Sequence, residues 1–319
     1  MIRHVTPRFV SGISRRLAAY CLLLFAAATE PTTAAPTRID RALLLDAVRS
    51  GDRVIAVGDH GVIAASMDQG HTWSRVPSPV GTGLTGISFS DTQEGWIVGH
   101  GGTILHSSDA GTTWRTSDAG LEPGDSLLDV LALGRGRALA IGAYGLIVET
   151  HDGGDSWRRL EPVAEDYHLN ALVLDRDGAW LLAGEAGLLA RSTDAGASWD
   201  TFDTGYEGSF YGLLRLESGR LVAHGLRGHL FWSDDEGATW TPVDVERPVL
   251  LMSAVQSPTG TVAVAGLGGV VFASRDGGTS FSMHELTRLK ACAKLLALDG
   301  DLFLAFGETG VERVEVSHP

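Results

Sequence analysis

An eight-residue phrase that recurs six times constrains the fold of this chain more than any other feature of the sequence. It reads SSDAGTTW at residues 107–114, and its other copies read SMDQGHTW, THDGGDSW, STDAGASW, SDDEGATW and SRDGGTSF. Its aspartate recurs every 41–43 residues, at Asp68, Asp109, Asp152, Asp194, Asp235 and Asp276. Periods of about 40–45 residues are typical of propeller or solenoid units, which cannot bury their apolar faces alone.

The residues between the phrases predict β-strands. In GWIVGHGGTILHSSDAGTTW (95–114), two short apolar runs are separated by a glycine turn and followed by the phrase. Runs of this length bounded by Gly and Asp are typical of strands, and no stretch sustains a helical period. Each unit is therefore predicted to hold four antiparallel strands, A to D from the centre outward. In the second unit, A covers 85–90, B covers 95–99 and C covers 103–107, and D begins at Thr113–Trp114.

The composition of the phrase indicates a structural role as the turn between strands C and D. A short carboxylate can accept backbone N–H bonds within its own turn, and the glycine two positions later can adopt a positive φ. The closing aromatic residue is expected to pack against the neighbouring sheet. No copy shows the alternating ligands of a calcium loop, so we expect no metal site. The structural positions are Asp68, Trp73, Asp109, Trp114, Asp152, Trp157, Asp194, Trp199, Asp235, Trp240, Asp276 and Phe281.

The phrase matches the Asp-box, or BNR repeat, of sialidase-like β-propellers. A second signature, G-x-x-G between strands B and C, occurs in all seven units: GDHG (58–61), GHGG (99–102), GAYG (142–145), GEAG (184–187), GLRG (225–228), GLGG (266–269) and GETG (307–310). Over about residues 39–316 the chain resembles the photosystem II assembly and stability factors of cyanobacteria and plastids, a family with relatives in non-photosynthetic bacteria. The resemblance implies an all-β, seven-bladed propeller and, in a photosynthetic host, a role in photosystem II assembly.

The predicted organisation is a signal peptide over residues 1–36 and a single propeller domain over 37–319. The blades are expected at about 43–83, 84–126, 127–168, 169–209, 210–249, 250–290 and 291–316. The seventh unit has only three strands before the chain ends, and residues 37–41 could supply the fourth and close the ring. A capping helix formed by RIDRALLLDAVR (38–49) is the alternative.

The first 36 residues are typical of an export signal. Four arginines precede an apolar run too short to span a bilayer, LAAYCLLLFAAA (17–28), and the small residues of TTAAPT (32–37) follow. We therefore expect the protein in the periplasm or outside the cell, or in the lumen of a photosynthetic host, without stable membrane insertion after cleavage.

Charge and cysteine content narrow the classes of partner. Removal of residues 1–36 takes away four Arg and one Glu, leaving 21 basic against 38 acidic residues and a net charge of −17. Such a surface repels phosphate backbones and anionic membranes, so nucleic acid is not an expected partner. A single cysteine remains, Cys292, which cannot form a disulfide within the chain and is predicted to be buried in strand A of the seventh unit.

We expect the functional surface at the end of the propeller opposite the Asp phrases, where the B–C turns and D–A loops emerge. The candidate rim residues are Asp59, His60, His100, Tyr144, Glu185, Arg227 and Glu308 from the turns, and Tyr167, His168, Tyr206 and Tyr211 from the loops. Aromatic anchors beside charges suit recognition of a protein partner, here a membrane or envelope complex. The alternative is that these residues are solvated loop tips and ordinary packing.

An enzyme is the less favoured interpretation. The chain lacks HExxH, G-x-S-x-G, P-loop and CxxC motifs, which leaves metalloprotease, serine hydrolase, nucleotide and zinc chemistry unsupported. Only one turn tip is an arginine, Arg227, whereas sialidase chemistry holds the substrate carboxylate with several. A glycoside hydrolase using the carboxylates of Asp59, Glu185 and Glu308 remains the alternative. We expect a non-enzymatic binding protein without a cofactor.

Overall fold

The computed structural model describes residues 39, 41–161, 163, 166–175 and 177–316. Contacts divide the chain into residues 1–34 and 35–319, and every described residue belongs to the second unit. The predicted signal peptide therefore lies outside the described residues. Within the described ranges, no helix has the length and apolar character needed to cross a bilayer.

The described chain folds into seven antiparallel sheets, in which strands pair in chain order. The first three sheets are β1 (Leu44–Ser50), β2 (Arg53–Gly58), β3 (Val62–Ser66), β4 (Ser74–Val76); β5 (Leu84–Phe89), β6 (Gly95–Gly99), β7 (Ile104–Ser107), β8 (Arg115–Thr116); and β9 (Leu127–Gly134), β10 (Arg137–Gly142), β11 (Ile147–Thr150), β12 (Arg158–Arg159). The next two are β13 (Leu169–Leu174), β14 (Trp180–Gly184), β15 (Leu189–Ser192), β16 (Asp200–Thr201); and β17 (Phe210–Arg215), β18 (Leu221–Gly225), β19 (Leu230–Ser233), β20 (Thr241–Val243). The last two are β21 (Leu251–Gln256), β22 (Val262–Gly266), β23 (Val270–Ser274), β24 (Ser282–Glu285); and β25 (Cys292–Ala297), β26 (Leu302–Gly307), β27 (Gly310–Glu315). Short 3-10 turns follow three of the second strands, at Asp59–Gly61, Ala143–Gly145 and Leu226–Gly228.

The sheets are arranged as blades around a central axis. The first strand of each sheet contacts the first strand of the next, and β1 also contacts β25 and β26, so the ring is closed. Buried apolar clusters fill the spaces between neighbouring sheets, as where Leu44 and Val54 of the first pack with Leu304 and Phe306 of the seventh. The prediction of an all-β, seven-bladed propeller with strand A innermost is confirmed. We number the blades one to seven in chain order.

The Asp phrases form the turns between the third and fourth strands. In the first copy, Asp68 Oδ1 accepts hydrogen bonds from Ser66 Oγ (2.8 Å) and the Thr72 N–H (2.8 Å), and Oδ2 accepts one from Thr72 Oγ1 (2.6 Å). These bonds lower the pKa of Asp68 to about 2. The other five copies repeat the arrangement with the same lowered pKa. Each carboxylate is thus committed to its own turn.

The aromatic residue that closes each phrase packs towards the preceding blade. Trp73 of blade one meets Phe306 of blade seven edge-on, with ring centroids 5.9 Å apart, and Trp157 of blade three meets Trp96 of blade two at 5.5 Å. The phrase glycine is equally close, because a Cβ atom at Gly70 would lie 2.8 Å from Leu304 of blade seven. The Asp phrase therefore joins neighbouring blades near their outer edges.

Blade seven has three strands within the described residues. Its turn donates a hydrogen bond from the Gly310 N–H to the Ala42 carbonyl (3.0 Å), the bond that Gly145 makes to Tyr167 (2.8 Å) in the loop between blades three and four. Ala42 thus occupies the position of a loop leading from a fourth strand into the next blade. The predicted closing strand over 37–41 lies largely outside the described residues. The alternative helix over 38–49 is wrong from Leu44 onward, because that segment is strand β1.

Cys292 begins strand β25 and is fully buried, as predicted. Burial raises the pKa of its thiol to about 12, because the interior disfavours a thiolate. The thiol is therefore an inert core group at ordinary pH.

Candidate functional site

The B–C turns and D–A loops lie at one end of the propeller, where hydrogen bonds join most neighbouring turns and loops, and we call this end the rim. Each turn receives support from the loop before it, as where the His100 N–H donates to the Gly83 carbonyl (2.9 Å). Most turns also bond to the loop that follows, as where the Gly102 N–H donates to the Asp125 carbonyl (2.9 Å). The Asp phrases bond to the A–B turns at the other end, for example from the Gly153 N–H to the Gly136 carbonyl. The two sets of loops therefore occupy opposite ends.

The third residue of four B–C turns adopts a left-handed backbone although it is not glycine. The φ angles are 54° at His60, 55° at Tyr144, 52° at Ala186 and 56° at Arg227, whereas glycine occupies the same position in blades two and six. A non-glycine residue in this region costs about 1–3 kcal/mol. The rim therefore holds the exposed side chains of His60, Tyr144 and Arg227 outward at a conformational cost.

The three carboxylates proposed for glycoside chemistry are engaged with backbone N–H groups of the rim. Glu308 accepts bonds from the N–H groups of Lys290 (2.6 Å) and Ala291 (2.9 Å). Glu185 accepts a bond from the His168 N–H (2.9 Å). Asp59 accepts the N–H of its neighbour His60 (2.8 Å) and pairs with its ring nitrogen (2.9 Å). Glu185 and Glu308 thus fasten the loops that precede their turns, whereas Asp59 bonds only within its own turn.

The aromatic candidates of the rim differ in exposure. Tyr144 is 67% exposed and Tyr167 is 39% exposed. The Tyr144 ring meets His168 edge-on with centroids 5.2 Å apart. His100 is exposed as well, and its Nδ1 lies 3.2 Å from the hydroxyl of Ser126. These four residues are available at the surface of the rim.

Tyr206 and Tyr211 are placed differently from the prediction. Tyr206 is half-buried against Phe210 and His229, with centroids 5.1 and 4.4 Å away, and its hydroxyl donates to the Leu226 carbonyl (3.3 Å). Its burial raises the pKa of the phenol. The assignment of Tyr211 to a D–A loop is wrong, because strand β17 already begins at the fully buried Phe210, and Tyr211 lines the central channel. Neither phenol is a projecting tip.

The central channel is a polar feature that the sequence analysis missed. It has a volume of about 290 Å³ and is lined chiefly by the innermost strands. Every innermost strand carries a β-bulge near its start, between Leu44 and Asp46 in blade one and between Leu84 and Gly86 in blade two. A bulge redirects side chains from the regular alternation, and here it brings polar groups to the junctions between blades.

Each of the seven junctions is bridged at its inner edge by a polar side chain. The bridges run from Asp46 to the Ile87 N–H (2.8 Å), Thr85 to the Leu127 carbonyl (2.7 Å), Asp129 to the Leu172 N–H (2.8 Å), Asn170 to the Phe210 carbonyl (2.8 Å), His224 to the Leu251 carbonyl (3.1 Å), Ser253 to the Leu295 N–H (3.0 Å) and Lys294 to Asp46 (2.7 Å). His224 comes from a second strand, and it fills the space left by Gly212, where a Cβ atom would lie 2.3 Å from its Nε2. The last bridge, between blades seven and one, is an ion pair.

Burial shifts the titration of the charged groups around the channel. Burial and the neighbouring charge of Asp46 raise the pKa of Asp129 to about 7. Burial lowers the pKa of His224 to about 4, so its ring is neutral at pH 7 and Nδ1–H donates to the Leu251 carbonyl. Burial also opposes the charge on Lys294, but attraction to Asp46 outweighs it and the pKa of the ammonium is raised. The polar lining thus serves the closure of the ring.

Two cavities and the possible metal ligands add no further chemistry. A cavity of about 710 Å³ lies along the outer edge of β27 beside Ile39, where the predicted closing strand would run. A cavity of about 370 Å³ lies beside the last Asp phrase and Val316. Within the part of the chain that the structure describes, no three His, Cys, Asp or Glu residues are grouped to hold a metal ion.

Comparison with known proteins identifies relatives by sequence. The family model described as photosynthesis system II assembly factor YCF48 matches residues 37–139 and 117–288. A photosystem II assembly lipoprotein Ycf48 of Synechococcus sp. (strain CC9902) is 36% identical over 107 residues, which is 32% of this chain and 31% of that protein. The chain aligns with only 31–43% of the length of the curated photosystem II factors that it matches.

Comparison of structures supports the fold. A structure described as YCF48 bound to D1 peptide superposes with a TM-score of 0.71 at 22% identity, covering 87% of this chain and 93% of that one. A streptogramin B lyase superposes with a TM-score of 0.76 at 11% identity, covering 87% and 95%. At these identities the matches establish the architecture alone, which a binding protein and a lyase share.

Proposed function

The chain belongs to the family of photosynthesis system II assembly factor YCF48, and from this membership we propose that it is a non-enzymatic assembly factor. In this proposal the protein binds a segment of a protein partner through the rim and thereby assists the assembly of a membrane or envelope complex. In a photosynthetic host that complex is photosystem II.

The observation that carries this proposal is the construction of the rim. Its backbone is tied by hydrogen bonds between turns and loops of neighbouring blades, while the side chains of His60, Tyr144 and Arg227 project from left-handed positions. A rigid frame with diverse exposed tips lowers the entropy lost on binding, which favours recognition of a partner. A relative of the same fold is described as bound to D1 peptide, which supports a peptide segment as the ligand class.

The contacts of the rim carboxylates also favour binding over hydrolysis. Glycosidases need a protonated acid and a free carboxylate facing each other across the substrate. In this chain, Glu185 and Glu308 each accept backbone N–H bonds from the adjoining loop. Loop anchoring therefore accounts for both residues without a catalytic role.

The proposal includes export of the protein. The arginines, apolar run and small residues of the first 36 positions have the order of a secretory signal. The mass of the mature protein tests this directly. We expect a chain beginning near residue 36, and a full-length chain retained in the cytoplasm would contradict it.

A pull-down from envelope extracts tests the proposed function. We expect the wild-type protein to recover a defined partner, and His100→Ala combined with Arg227→Ala to recover at least about tenfold less of it. Asp200→Asn, an exposed change on a fourth strand, is the matched control. Equal recovery by the wild type and the rim variant would show that the rim is the wrong surface.

A panel of glycosides tests the enzymatic alternative. The proposal expects no hydrolysis by the wild type. Reproducible activity that is lost in Glu185→Gln or Glu308→Gln would replace the binding proposal with a glycosidase.

A further inference from the structure

An exposed aromatic surface stands out on the rim between blades three and four. Tyr144 and Tyr167 are the aromatic members of the exposed large apolar residues of the described chain. His168 completes the group through its edge-on contact with Tyr144 at 5.2 Å. We call these three residues the aromatic shelf. Exposed aromatic groups on neighbouring loops are typical of interaction surfaces.

The backbone holds the aromatic shelf in place. The turn that carries Tyr144 is hydrogen-bonded on both sides of this residue. The Ala143 N–H donates to the Ser126 carbonyl (2.9 Å), and the Gly145 N–H donates to the Tyr167 carbonyl (2.8 Å). The N–H of His168 is held by Glu185 at 2.9 Å. The shelf is therefore preorganised, and a ligand need not order it.

The loops that form and adjoin the aromatic shelf are acidic, and Arg227 lies beyond them, beside Tyr206. These four loops are 142–145, 160–168, 184–187 and 202–209, and their sequence contains no Lys or Arg. Exposed carboxylates occur at Glu161, Asp166 and Glu207. The rim over blades five to seven differs, because it carries Arg227, Arg247, Arg288 and Lys290. The shelf is thus an aromatic surface inside the acidic sector of the rim.

We propose that the aromatic shelf binds a Lys or Arg side chain of an extended segment of the partner protein. A cation placed over the face of a tyrosine is attracted by the ring quadrupole, and the surrounding carboxylates add to this attraction. This inference rests on the proposed function and adds the chemistry of one subsite to it. It also places one point of the segment on the rim, since the basic residue lies over blades three and four.

Selection from a displayed library of random dodecapeptides tests this inference. Peptides enriched on the immobilised wild-type protein are expected to contain Lys or Arg, and replacement of that residue by Gln should weaken binding about tenfold. Tyr144→Gly should weaken binding by a similar factor. This variant removes the ring and relieves the left-handed backbone, so loss of binding cannot be attributed to loss of the fold. Ala186→Gly, at the same position of the next turn, is the matched control.

Three results would overturn the inference. Enriched peptides could lack basic residues, they could bind Tyr144→Gly as tightly as the wild type, or no peptide could be enriched at all. If the enriched peptides respond to His100→Ala and Arg227→Ala but not to Tyr144→Gly, the rim is the binding surface and the shelf is not its subsite. Peptides that respond to none of these changes would contradict both proposals.

Discussion

Replacement of Asp46 by alanine should weaken two junctions, the one between blades one and two and the one between blades seven and one. The carboxylate accepts the Ile87 N–H at 2.8 Å and the Lys294 ammonium at 2.7 Å, and Asp46 is 7% exposed. A buried N–H left without an acceptor costs about 1–3 kcal/mol, and a buried ion pair that loses one partner costs about 3–5 kcal/mol in total. Because the Lys294 side chain is 37% exposed to the channel, water screens part of this loss. We therefore expect Asp46→Ala to lower the free energy of unfolding by about 3 kcal/mol.

A double-mutant cycle separates the ion pair from the backbone bond. Asp46→Asn keeps an acceptor for Ile87 but removes the charge, and Lys294→Met removes the ammonium. The two changes should couple by about 1 kcal/mol, because each removes the same contact. Urea unfolding at pH 7, followed by tryptophan fluorescence, gives the free energies of unfolding. Asp52→Asn, an exposed change in the turn after β1, should cost less than about 0.5 kcal/mol. Equal costs for Asp46→Ala and Asp52→Asn, or additive single changes, would refute the bridge.

Substitutions in the channel, in one Asp phrase and on the rim test other parts of the structure. The pKa of His224 is about 4 in the folded protein, below its value in the unfolded chain. As the pH falls from 6.5 to 4, the free energy of unfolding of the wild type should therefore drop by about 3 kcal/mol relative to that of His224→Gln. Parallel stability curves would contradict this. Asp129 has a folded pKa of about 7, above its unfolded value, so stability relative to Asp129→Asn should fall as the pH rises from 4 to 7, measured by the same urea titrations. Trp114→Ala should lower the free energy of unfolding by about 3–5 kcal/mol, because the ring is buried against Phe89 and the preceding blade; a loss below about 1 kcal/mol would show that this ring does not join the blades. Tyr144→Gly should leave the free energy of unfolding unchanged or raise it by up to about 1 kcal/mol, and the melting temperature should not fall. A lower melting temperature would show that the ring stabilises the fold.

The architecture followed from the sequence because its determinants are local and repeated. Asp109, Gly111 and Trp114 act within one turn and one blade contact, and five more copies at a fixed period report the same geometry. Strand bounds were accordingly close, with strand B of the second unit predicted and observed at 95–99. Repetition converts a weak local preference into a strong constraint on the fold.

The polar bridges of the channel could not be predicted in the same way. Most of them depend on a bulge in an innermost strand, and residues of six types supply the carboxylate, hydroxyl, amide, imidazole and ammonium groups that form them. The available signal was a charged residue inside an apolar run, as in LLLDAV (43–48) and LLDVLAL (127–133). Tyr211 was misplaced for a related reason. The glycines of TGYEGSFYG (204–212) suggest that the whole segment is one loop. In the structure, strand β17 already begins at the buried Phe210 within this segment.

Site-specific photo-crosslinking can show whether the partner binds at the rim or at the opposite end of the propeller, where the Asp phrases lie. Benzoylphenylalanine would replace Tyr144 on the rim or Met67 at the opposite end, both of which are well exposed at 67% and 69%. After irradiation in envelope extracts, we predict that the probe at position 144 forms a covalent adduct with one partner protein and that the probe at position 67 does not. An adduct formed mainly from position 67 would contradict binding of the partner at the rim.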